Sequence, residues 1–85
     1  MAKYKNEIKR SAVREIKKLP YDYMRKILFK ISELAGNPRP KGCIKLTNEE
    51  KYRIRVGRYR ILCEIKENIL TITIVKVGYR KDAYN

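Results

Sequence analysis

The stretch Lys51–Arg60, KYRIRVGRYR, decides how the rest of the chain must be arranged. Five of its ten residues are basic and none is acidic. The charges alternate with Tyr52, Ile54, Val56 and Tyr59 at the two-residue period of a half-buried strand. Gly57-Arg58 breaks the alternation once, and a two-residue loop that begins with glycine predicts a type II′ hairpin turn. With those residues at the turn, Val56 pairs with Tyr59, Arg55 with Arg60, Ile54 with Ile61, Arg53 with Leu62 and Lys51 with Glu64. Arg53, Arg55 and Arg60 then share one face. Like charges set directly opposite each other destabilise a sheet, so the Arg55–Arg60 pair calls for an external anion.

Downstream, Ile69–Val77 is the most β-prone run in the chain. A turn centred on Glu67-Asn68 pairs Ile65 with Leu70, Cys63 with Ile72 and Ile61 with Ile74, which extends the apolar face of the hairpin without a slip. The opposite face then carries Arg53, Arg55, Arg60, Leu62, Glu64, Thr71, Thr73 and Val75. Upstream, Cys43–Thr47 predicts a strand and Asn48–Glu50 a turn, after a loop at Asn37–Gly42. Ser11 is placed to cap a helix reaching Leu19, with Ala12, Val13, Ile16 and Leu19 on one face. Pro20 suits the first turn of a second helix. Its apolar stripe is Met24, Ile27, Leu28, Ile31, Leu34 and Ala35, ending at Gly36. Lys3–Ile8 reads as a short edge strand anchored by Tyr4 and Ile8. The fold expected is α+β: an antiparallel sheet packed on one face by an N-terminal helical hairpin and open on the other.

Eighty-five residues make one small domain, residues 1–85. Twenty-two Lys and Arg against nine acidic residues give a net charge of +13, an excess that points to a polyanionic partner. The first thirty residues contain no uninterrupted apolar run, so neither a secretory signal nor a membrane span is expected, and the cytoplasm is the expected location. Cys43 and Cys63 form no CxxC pattern and read as reduced, buried thiols. With no histidine in the chain, a metal site has little to be built from, and no cofactor is expected. The segment after Gly78, YRKDAYN, sets two tyrosines beside basic residues, either to stack on bases and grip phosphate or to cover a sheet edge.

In the order of its elements, and in the segments YRIRVGRYRILCEI and VGYRKDAY, the chain resembles the RelE/ParE superfamily of toxins from type II toxin–antitoxin systems. RelE-like members are endoribonucleases that cut messenger RNA in the ribosomal A site, and ParE-like members poison DNA gyrase. The resemblance implies a RelE-like fold, a cognate antitoxin, and the ribosome with its mRNA as target; no membrane is implicated. It sets Arg53 and Arg55 where RelE-like enzymes carry basic active-site residues, often lysines. Arg60 matches the arginine of the second hairpin strand, Arg80 the arginine after the final strand, and Tyr84 a C-terminal active-site tyrosine. Tyr79 stands where many relatives have histidine.

Metal-independent cleavage of RNA needs a group to take a proton from the 2′-hydroxyl, one to protonate the leaving 5′-oxygen, and cations for the charge that builds on phosphate. Arginine forks suit the last task. Arginine stays protonated to about pH 12, so it is a poor base. Tyr84 is the expected base, its phenolate favoured by surrounding cations, with Arg80 as phosphate clamp or aid to the leaving oxygen. Glu64 competes for that role, unless it serves as the cross-strand partner of Lys51. Lys9, Arg10, Lys17, Lys18, Arg25, Lys26 and Lys30 read as solvated helix faces. Two other functions remain open: a ParE-like inhibitor of gyrase without catalysis, and a basic nucleic-acid-binding module.

Overall fold

The Gly57-Arg58 turn forms as its residues require. In the computed structural model, which describes residues 4–40, 43–46 and 51–79, Gly57 has φ +58° while Arg58 stays at negative φ. Positive φ at the first central position alone is the signature of a type II′ turn. It joins β3 (Lys51–Val56) to β4 (Tyr59–Lys66) in the register expected, including Arg55 opposite Arg60 and Lys51 opposite Glu64.

The junction after β4 is built differently. Glu67–Ile69 winds into one 3-10 turn, Leu70 follows in the left-handed region (φ 46°, ψ 51°), and β5 covers Thr71–Tyr79. The longer loop corrects the expected register: Ile65 pairs with Ile72 and Cys63 with Ile74. A slip of two residues keeps the same side chains in the core, since side chains alternate with period two. A β-bulge between Leu62 and Cys63 of β4 then adds a residue on β5, so that Ile61 meets Val77 and not Ile74.

The sheet is completed by β1 (Lys5–Ile8), parallel to β5 at one edge, and β2 (Ile44–Lys45), antiparallel to β3 at the other, in the order β1-β5-β4-β3-β2. The second edge strand is shorter than the sequence suggests, and Thr47 and the Asn48–Glu50 turn lie outside the described residues. Very short edge strands limit unwanted pairing.

Two helices cover one face. α1 spans Arg10–Lys17 and α2 Tyr21–Leu34. Ser11 lies inside α1 and caps nothing: Lys9 is the N-cap residue and makes no side-chain cap, while its carbonyl accepts from Val13 N–H at 2.9 Å. Pro20, with extended backbone, is the residue before the first turn of α2, and its carbonyl accepts from Met24 N–H at 2.9 Å. Ala12 and Ile16 from α1 and Ile27, Ile31 and Leu34 from α2 meet Ile54, Ile61, Ile65, Ile72, Ile74 and Val77 in one core. Leu28 departs from the expected stripe, lying 43% exposed at the margin of the helical face. Cys63 is fully buried in that core, and burial pushes its thiol up to about 12, while Cys43 is half-buried; both are free thiols. Among the described residues no helix is long and apolar enough to cross a membrane.

Candidate functional site

Strand pairing arranges the face away from the helices in rows. Nearest the Gly57 turn, Arg55 lies opposite Arg60, and Arg60 opposite Gly78. The next row runs Ile44, Arg53, Leu62, Lys76. Beyond it come Lys51, Glu64, Thr73 and Glu7, and finally Lys66, Thr71 and Lys5. Cations without carboxylates therefore occupy the hairpin end, and charges of mixed sign occupy the other. In a two-residue hairpin the pair beside the turn exchanges both backbone bonds, which makes the next pair the non-hydrogen-bonded kind whose side chains approach most closely. Arg55 and Arg60 are that next pair.

The three arginines share one face of the sheet but differ in setting. Arg55 is exposed, Arg53 half-buried and Arg60 only 5% exposed. The far face is thus less open than the sequence suggests, with Thr71 also buried and its hydroxyl donating to the Ile69 carbonyl at 3.0 Å. A guanidinium so withdrawn from water is held by charged or hydrogen-bonding neighbours. Arg80 and Tyr84 lie outside the described residues. Glu64 shares the face but sits four residues along β4 from Arg60, about 13 Å at the rise of a strand. Its row partners are Lys51 and Thr73.

One cation of this face is absent from the sequence reading. Regular alternation after Ile74 would turn Lys76 toward the helices and leave Val75 and Val77 on the far side. The bulge sets Lys76 opposite Leu62 and sends Val77, 1% exposed, into the core. The spacing of Ile74 and Val77, three residues apart, is the signal that was available.

Beneath the arginine row, on the helix side, three tyrosines hold the ends of β4, β5 and α2 together. Tyr23 and Tyr59 have ring centroids 4.7 Å apart, and Tyr59 meets Tyr79 edge-on at 5.6 Å. Such offset and edge contacts add to simple area burial. Glu15 of α1 accepts the Val77 N–H at 3.0 Å.

At the opposite end of the molecule lies a second polar cluster. Arg39 forms an ion pair with Glu67 at 2.5 Å, donates to the Tyr52 hydroxyl at 3.3 Å, and stacks over that ring at 5.0 Å. Tyr4 donates its hydroxyl to the other carboxylate oxygen of Glu67. The Tyr4 hydrogen bond first, and Arg39 second, hold the Glu67 carboxyl below the usual range. An open cavity of about 600 Å³ beside this cluster includes Arg39, Lys45, Tyr52 and Glu67 in its wall. The guanidinium there is engaged by a carboxylate and a phenol.

Relatives share this architecture. Residues 7–84 match the family of ParE toxins of type II toxin–antitoxin systems. A Methanocaldococcus jannaschii protein bearing the name toxin RelE1 is 29% identical over 86 residues, covering 96% of each chain. A chain of the RelBE2 toxin–antitoxin complex of Mycobacterium tuberculosis superposes with a TM-score of 0.81 at 27% identity, over 96% of this chain and 97% of that one. In the archaeal RelE–RelB complex of Pyrococcus horikoshii the same fold recurs with a TM-score of 0.82 at 24% identity, over 94% and 98% of the two chains.

Proposed function

The chain belongs to the ParE toxin family of type II toxin–antitoxin systems, and from that membership we propose that it is a RelE-like endoribonuclease which cuts messenger RNA in the ribosomal A site and so arrests translation. The observation that carries this reading is the pairing of Arg55 with Arg60, one row from Arg53, on the face opposite the helices. Two like charges on paired positions of one face favour an anion brought to that face, and a phosphodiester is an anion of suitable shape.

In this reaction the 2′-hydroxyl loses its proton and its oxygen attacks the neighbouring phosphorus. The bond from phosphorus to the 5′-oxygen breaks, that oxygen takes up a proton, and a 2′,3′-cyclic phosphate and a 5′-hydroxyl result. Arg53 and Arg55 bind the non-bridging oxygens, where negative charge grows, and the buried Arg60 adds its charge from the same face. Tyr84 takes the first proton, and Arg80 clamps the phosphate or assists the leaving oxygen. No metal takes part. The ribosome holds the message in line for attack, an effect worth about 7–11 kcal/mol when reacting groups are well oriented. The Mycobacterium tuberculosis relative was crystallised in a toxin–antitoxin complex, and this chain likewise has a cognate antitoxin that covers its basic face.

The test is to add purified protein to programmed ribosomes in EDTA and map the RNA ends. Cuts within the A-site codon are expected. Arg55→Ala should slow cleavage about 100-fold, the scale of losing one charge-stabilising donor, and Arg80→Ala or Tyr84→Phe should relieve the arrest of translation in cells. The parDE membership supports a second reading, inhibition of DNA gyrase without catalysis. Intact messages together with DNA damage after induction would establish that reading and overturn the first.

A further inference from the structure

From the bulge in β5 we infer that Glu15 is a positioning residue: its carboxylate holds Val77, two residues past the inserted Val75, and thereby sets which side chains of the last strand face the arginine row. The inference rests on the nuclease reading for its catalytic consequence, but its structural basis is independent. Ile74 and Val77 both enter the core although they are three residues apart, which a strand of period two permits only where a residue is inserted. Val77 faces the core as Ile72 and Ile74 do, so its N–H points to the β1 side of β5, where strand pairing ends at Ile74, and it needs another acceptor. Glu15 Oε1 accepts the Val77 N–H at 3.0 Å.

Glu15 is the one acidic residue of α1, half-buried on the sheet-facing side between Ala12 and Ile16. The phase of the bulge sets the facing of every residue beyond it. As formed, it leaves Gly78 opposite Arg60 with no side chain at that position, Tyr79 edge-on to Tyr59 beside the helices, and Lys76 in the cation row. Slipped by one residue, the strand would turn Tyr79 onto the arginine face and Gly78 away from it.

Three variants test this: Glu15→Ala, Glu15→Gln and Glu15→Asp. Glutamine keeps a carbonyl oxygen at the same reach, whereas aspartate keeps the charge but is one methylene short. Two quantities are read, the amide exchange rate of Val77 relative to Ile61 in the free protein and the rate of message cleavage on saturating ribosomes. Glu15→Ala and Glu15→Asp should each speed Val77 exchange by about tenfold or more and lower kcat about tenfold with KM little changed. Glu15→Gln should stay within about threefold of the parent in both. Should Glu15→Ala fail to fold, the aspartate and glutamine variants carry the same contrast. Unchanged Val77 exchange in Glu15→Asp, an equal loss in Glu15→Gln, or a change in KM alone would overturn the role of Glu15. A parent protein that cuts no message would overturn the nuclease reading instead, whatever Val77 exchange shows.

Discussion

The two turns that flank β4 are built on opposite principles. At Gly57-Arg58 the glycine takes a positive φ and both strands leave in register for six consecutive pairs. At Glu67–Leu70 no glycine is present, and Leu70 itself adopts the left-handed conformation. Contacts from distant parts of the chain secure that second turn: Lys5 N–H donates to the Leu70 carbonyl at 2.7 Å, Tyr4 bonds Glu67, and Arg39 pairs with it. One turn is encoded by its own residues, and the other is imposed by its surroundings.

Substitutions can separate these two cases. The largest effect is expected at the self-encoded turn: Gly57→Val places a β-branched residue where φ is positive and should cost about 1–3 kcal/mol. Urea unfolding measures it, and an unchanged midpoint would mean that the turn is not the rigid element described. Leu70→Gly should change stability by less than about 1 kcal/mol in either direction, because relief of a left-handed side chain offsets lost burial and added chain entropy. A large loss there would show that the second turn depends on its leucine after all.

The smallest effect concerns the clasp around that turn. The Tyr4 hydrogen bond, and then Arg39, hold Glu67 below the usual carboxylate range. A depressed folded-state value means that the stabilisation is fully present above the ordinary pKa of about 4.3 and is lost as pH falls through the folded value. Glu67→Gln should therefore be less stable than the parent at neutral pH, with the gap closing in acid and shrinking with added salt. Unfolding midpoints compared at about pH 7 and about pH 3 decide this; a gap that persists in acid would assign the clasp to packing and not to charge.

The same contrast explains how much was legible. Alternation in KYRIRVGRYR was enough to set the hairpin, its apolar face and the Arg55–Arg60 pair, because a two-residue turn leaves no freedom in register. The helical stripe of Ile27, Ile31 and Leu34 was equally plain. Ser11 misled because a serine near a helix start can also sit inside the first turn, and nothing local distinguishes the two. The register of β5 was misplaced by two residues because a 3-10 turn with a left-handed leucine carries no Gly, Pro or Asn-Gly signature. The bulge shows along the chain only as the three-residue spacing of Ile74 and Val77, and the carboxylate that holds the strand past it, Glu15, lies 62 residues away. The proposed contributions of Arg80 and Tyr84 rest on family resemblance and fall outside the described residues.

By itself, then, the amino-acid order determined the elements whose information is short-range: the hairpin, the second helix, the apolar faces and the excess of cations. Tertiary structure alone decided the phase of β5, the burial of Arg60 and the placing of Lys76 beside the arginines. The physical reason is that a period of two or 3.6 residues can be read along the chain, whereas the phase of a strand beyond a bulge is held by contacts from distant elements, here the Glu15 carboxylate on the Val77 N–H.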